Sequence, residues 1–72
     1  SPNPAIDRIT IKSENMMTSI EVIDLNGQSV IIEKTNLVNS KSLDISDLAS
    51  GIYFISVTDN KGLRSMEKIV KN

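Results

Sequence analysis

The sequence predicts an all-β domain, a small antiparallel β-sandwich of about six or seven short strands. Three observations carry that expectation. Eleven Ile, five Val and four Thr stand against two Ala and five Leu in 72 residues, and β-branched side chains suit a pleated surface better than a helix. Apolar and polar residues alternate at period two in several separate segments, which turns one face of each segment inward. Turn-forming residues recur at roughly eight- to twelve-residue spacing, with no helix-length periodicity between them.

The elements follow in order along the chain. Arg8-Ile9-Thr10-Ile11-Lys12 puts Ile9 and Ile11 on one face and its polar residues on the other, a first strand. Met16-Met17 is expected to cover an open edge of the core. In Ile20-Glu21-Val22-Ile23, Ile20 and Val22 share a face and Ile23 lies opposite, partly covered. Asn26-Gly27 offers the positive-φ residues of a tight hairpin leading into Val30-Ile31-Ile32. Glu33 to Lys41 is polar around Leu37 and Val38 and reads as a strand end followed by a loop.

Leu43-Asp44-Ile45 alternates again. Ser46 to Gly51, with a capping-type Ser and a terminating Gly, reads as one turn of tight helix whose Leu48 plugs the end of the core. Ile52 to Val57 is the most apolar run and the expected central strand. Tyr53, Ile55 and Val57 are placed inward, because Ser56 and Thr58 share the parity of Phe54. Phe54 beside Ile52 would then form a small adhesive patch suited to docking, or be buried on both sides or partly covered by a loop. Asp59-Asn60-Lys61-Gly62 makes a second turn, and Leu63 to Val70 supplies a last strand at a sheet edge, with Met66, Ile69 and Val70 its apolar members.

Composition limits the chemistry. The chain is 39% hydrophobic and 24% charged with a net charge of −1, too apolar and balanced for disorder and without the basic field that nucleic acid or anionic lipid requires. Neither is expected as a partner. There is no Cys and no His, so disulfides, thiol nucleophiles and the usual zinc arrangements are excluded, as is the commonest neutral-pH general base. No catalytic residue, cofactor or metal site is expected, and no apolar run of about 18 residues is present to span a membrane. Asp24, Asp44, Asp47 and Asp59 sit beside turns without calcium-loop spacing and read as solvated turn residues. Gly27, Gly51 and Gly62 are too dispersed to cradle phosphate. Serines and lysines are numerous, but no strained Gly-x-Ser-x-Gly turn activates one. The chain opens at Ser1 without Met and is expected to be a piece of a longer protein. Pro2 and Pro4 make a stiff junction to something upstream. The expected division is residues 1–5 as that junction and 6–72 as a single domain.

Several segments together carry a resemblance: the opening Pro2-Asn3-Pro4-Ala5; Val22-Ile23-Asp24-Leu25-Asn26-Gly27; Leu43-Asp44-Ile45-Ser46-Asp47-Leu48; Gly51-Ile52-Tyr53-Phe54-Ile55-Ser56-Val57; and the closing Lys68-Ile69-Val70-Lys71. In this order and spacing the chain resembles the type A C-terminal sorting domain of proteins exported by the type IX secretion system of Bacteroidetes-like bacteria. The family often has an aromatic before the opening Pro-Asn-Pro, where this chain has Ser1.

The resemblance implies an immunoglobulin-like sandwich that serves as an address at the end of a larger secreted protein, not an enzyme. The implied partners are the type IX outer-membrane translocon, a sortase-like peptidase and the upstream cargo domain. Cargo would cross the periplasm and outer membrane to the cell surface or medium, with the sorting domain cleaved off. Gly51 and Tyr53 look like the family's Gly-x-Tyr element, Lys68, Ile69, Val70 and Lys71 like the terminal sorting segment, and Pro2, Asn3 and Pro4 like the junction motif. On the residues alone, Gly51 and Tyr53 have folding roles first, Tyr53 filling the interior while its hydroxyl reaches a backbone acceptor near the rim. Lys68 and Lys71 are both expected to be exposed. A terminal structural or carbohydrate-adhesion module of the same class is the alternative, though one Tyr, one Phe and no Trp make a poor sugar-stacking platform.

Overall fold

A computed structural model describes residues 7–72. The backbone forms β1 (Arg8–Ile23), β2 (Ser29–Asp44), β3 (Gly51–Asp59) and β4 (Arg64–Lys71). All pairings are antiparallel in one sheet of order β2-β1-β3-β4. The all-β antiparallel class is as the sequence predicts, and β4 lies at a sheet edge as expected. Among the described residues no helix is long and apolar enough to cross a membrane.

Among the described residues the strand count differs from expectation: four strands in one sheet, not the six or seven short strands of a two-sheet sandwich. The cause lies in the polar stretches around Ser13-Glu14-Asn15 and Glu33 to Lys41, where the backbone stays extended through bulges. The β1–β2 register shifts between Lys12 and Met17 and again between Met17 and Ser19, and a bulge absorbs unpaired residues while bending the strand. Side chains hold the bend. The Asn39 amide donates to the Ser13 and Glu14 carbonyls, the Thr35 hydroxyl to Met17 O, and the Thr18 hydroxyl to Thr58 O and Asp59 O. Leu37 takes a left-handed φ of 53° within the β2 bulge.

The bend builds the core. A straight strand of 16 residues would reach roughly 50 Å, yet the longest dimension of the molecule is 32 Å. The first half of β1, Arg8–Lys12, pairs only with β2, whereas Ser19–Ile23 pairs with both β2 and β3. Ile9, Ile11 and Leu43 from the first part of the hairpin join Ile20, Val22, Tyr53, Ile55 and Ile69 in a single buried cluster. Met17 is wholly buried and Met16 is exposed, so only the second of the pair covers the core.

Both hairpin turns are the same device. In each an Asp carboxylate accepts from backbone N–H groups two and four residues on, Asn26 and Gln28 for Asp24, Lys61 and Leu63 for Asp59. Gly27 and Gly62 then take φ of 84° and 81°, and their N–H groups return to the Asp carbonyls. This is a type I turn closed by a glycine bulge, so Gly27 alone has positive φ where the sequence reading gave it to Asn26 as well.

Residues 46–50 form a turn rather than a helical one. Asp44 is its acceptor, taking both the Ser46 N–H and the Ser46 hydroxyl, so Ser46 donates instead of capping. Leu48 does pack against the core. Tyr53 and Ile55 point inward as expected, with Val57 half-buried against them. Ser56 departs from its expected exposure and is buried. The Arg64 Nε donates to its hydroxyl while the guanidinium sits 3.6 Å from Glu21, closing a polar lid over that position.

Candidate functional site

The two segments that the sequence marks at the start of β3 and the end of β4 meet in space. Gly51 lies opposite Lys71, Ile52 opposite Val70, Tyr53 opposite Ile69 and Phe54 opposite Lys68. Cross-strand partners share a face. Gly51, Tyr53, Ile69 and Lys71 therefore take the inner face, and Ile52, Phe54, Lys68 and Val70 the outer one.

On the inner face Tyr53 and Ile69 are buried. The Tyr53 hydroxyl donates to the Ala49 carbonyl at 2.7 Å, so the ring fills the core while its polar end holds the turn that precedes β3. Gly51 has φ of 151°, and a Cβ there would meet nothing within 4 Å. The position asks for glycine through its backbone angle and not through lack of space.

Lys71 corrects an expectation. It is 8% exposed, and its Nζ donates to Asn72 O at 3.3 Å. Its parity with Tyr53 and Ile69 draws the methylene stem over the core while the ammonium turns to the chain end. Lys68 is exposed as expected, beside half-buried Phe54 and Val70 and exposed Ile52. The patch foreseen from Ile52 and Phe54 thus gains Lys68 as a charged member. That membership follows from the β3–β4 register, which the Asp59–Leu63 turn closure dictates. Pro2, Asn3 and Pro4 lie outside the described residues.

The acidic turns have a separate character. Among the described residues no group of three or more Asp or Glu side chains gathers in a way that could hold a metal ion. Burial pushes the Asp59 carboxyl upward, but the Leu63 and Lys61 amides, the Asn15 side chain and the Lys61 charge outweigh it and hold the pKa below the ordinary value. The Ser46 hydroxyl and amide, with Arg8 nearby, likewise lower Asp44. Asn15 donates to the second Asp59 oxygen at 3.1 Å and the Asn60 N–H to Met16 O, so this turn is fastened to the bend of β1.

Comparison with known proteins assigns the whole arrangement. Residues 1–72 match the family described as the secretion system C-terminal sorting domain. The chain is 32% identical over 72 residues to the ulvan lyase NLR42 of Nonlabens ulvanivorans, covering 99% of this chain and 14% of that protein. No solved structure matches. With the family matched from the first residue to the last, the chain belongs to the C-terminal sorting domains of type IX secretion.

Proposed function

We propose that this domain is a non-catalytic address read by the type IX outer-membrane export machinery, and that a sortase-like peptidase removes it as the cargo is attached to the surface or released. The carrying observation is the family match over all 72 residues. The likeness to a lyase confined to 14% of its length supports a portable tail shared between different cargoes. In this reading residues 1–5 join the cargo to a domain of residues 6–72, with Pro2, Asn3 and Pro4 near the cleaved bond. Gly51, Tyr53, Lys68, Ile69, Val70 and Lys71 form the recognition element, whose outer half, Lys68 and Val70 with Ile52 and Phe54, is the part a receptor meets on the folded domain.

Fusion of residues 1–72 to a neutral reporter bearing an N-terminal export signal, in a host with this secretion system, tests the proposal. The reporter is expected at the surface or in the medium, with mass spectrometry showing loss of the domain. Without the domain, or in a host lacking the translocon, it is expected to stay in the periplasm. Equal delivery with and without the domain overturns the reading.

A further inference from the structure

The two outward faces of the molecule are chemically unlike. On the half of the β1–β2 hairpin that holds Ile9, Ile11 and Leu43, the residues alternating with that buried row pair as Arg8 with Asp44, Thr10 with Ser42 and Lys12 with Ser40. All six are polar, as the solvated side of an antiparallel sheet commonly is. On the opposite face, the residues alternating with buried Val22, Tyr53, Ile55 and Ile69 include Ile23, Ile32, Ile52, Phe54, Met66 and Val70. Ile32 on β2, Met66 on β4 and Ile52 on β3 are 65%, 56% and 38% exposed, so apolar side chains meet solvent from one edge of this face to the other.

The charge of that face is one-sided. Its outward charged residues are Glu21, Lys34, Arg64 and Lys68, one carboxylate against three cations in a chain whose total is −1. Glu21 lies 3.6 Å from Arg64 and accepts from the Ser29 hydroxyl, which leaves exposed Lys34 and Lys68, on the two edge strands, to set the field. Glu33, Asp59 and Glu67 have the inner parity, opposite Ile20, Met17 and Ile55. The Asp24 and Asp59 carboxylates are taken up by the amides of their own turns.

Size and charge together select an occupant. Four strands about 4.8 Å apart and some six residues long present roughly 300–400 Å², below the roughly 800 Å² that each member of a stable protein pair buries. A second copy would also bring the same excess of cations. An anionic membrane surface is held by clusters of about four to eight basic side chains, more than stand here. One helix, about 10 Å wide, matches the area, and a helix is one of the two layers that cover a sheet.

We propose that this face docks one amphipathic helix of a partner protein, with the helix's apolar stripe on Ile23, Ile32, Ile52, Phe54 and Met66 and carboxylates on its two flanks against Lys34 and Lys68. Because Ile52, Phe54 and Lys68 also belong to the outer half of the address, the proposal names the partner chemistry of that surface and rests on the reading given above. It is tested with the isotope-labelled chain and an acetylated, amidated helical peptide of leucine, alanine and glutamate, about 18 residues long. The same peptide with lysine in place of every glutamate is the comparison.

Amide shifts are expected at the outward residues named above, and the lysine peptide should bind at least about tenfold more weakly. Ile32→Ser with Met66→Ser, both exposed and so compatible with the fold, should weaken binding about tenfold. Lys34→Gln with Lys68→Gln should weaken it about threefold, a difference that high salt abolishes. Equal or tighter binding of the lysine peptide, shifts elsewhere or none, shifts that grow with chain concentration in the absence of peptide, or tighter binding to phosphatidylglycerol vesicles than to the glutamate peptide each overturn the proposal. Delivery of the reporter by a tail that does not bind the peptide overturns this inference and leaves the address; binding by a tail that delivers nothing supports the helix surface and overturns the address.

Discussion

Tyr53 joins packing and polar roles in one side chain, and its two parts separate experimentally. Tyr53→Phe keeps the buried ring and removes the hydrogen bond to the Ala49 carbonyl, a loss of about 1 kcal/mol. Tyr53→Ala also opens a cavity in the core and is expected to cost roughly 3–5 kcal/mol; urea unfolding of the three proteins checks both values. Leu37 offers the reverse case. Its φ of 53° is one a bulky L-residue adopts at a cost, roughly 1–2 kcal/mol, and its side chain is exposed. Asn tolerates this conformation, so Leu37→Asn is expected to raise stability by about 1 kcal/mol in the same measurement. No local pattern marks Leu37, because the strain comes from the three β2 residues left without partners between Lys34 and Val38.

At the scale of elements, the sequence is most legible where one short segment decides the outcome. The Asp…Gly turns at 24–27 and 59–62 and the alternation in Arg8–Lys12 and Ile52–Val57 need only local chemistry, and the structure has them. The bends of β1 and β2 depend on donors that come from the other strand, Asn39 and Thr35 reaching carbonyls more than a dozen residues away. Read singly, each polar segment looks like a loop; paired, they sustain a strand. The fastening of the Asp59 turn to β1 is another such contact, and it makes stability depend on acid. A carboxyl whose folded pKa is depressed contributes stability that is complete above its unfolded value near about 4 and is lost as pH falls through the lower folded value. Asp59 and Asp44 are both lowered, so the melting temperature is expected to fall as pH drops below about 4. Asp59→Asn should begin lower and show a shallower acid decline, read from melting curves across that range.

For the molecule as a whole, the β3–β4 register divides the proposed recognition element between two jobs. Its place at one end of the hairpin was implicit in the turn, since closure between Asp59 and Leu63 carries Gly51 to Lys71 without a further irregularity. The burial of Lys71 was not, because alternation along β4 marks parity but does not show that the folded-over half of the hairpin encloses that face. Ile69 and Lys71 point into the domain and Lys68 points out, so a receptor that reads the folded tail and one that reads an unravelled strand depend on different residues. If the folded tail is read, Lys68→Glu lowers export while leaving stability within about 0.5 kcal/mol, as exposed substitutions do. Ile69→Ala, which empties a buried site, costs roughly 2–5 kcal/mol and lowers export only as far as it lowers the folded fraction. Export of both variants, plotted against their unfolding free energies, separates the cases: Lys68→Glu falling below the line set by stability identifies the outer face as the surface read, and both variants on one line assign the whole effect to folding.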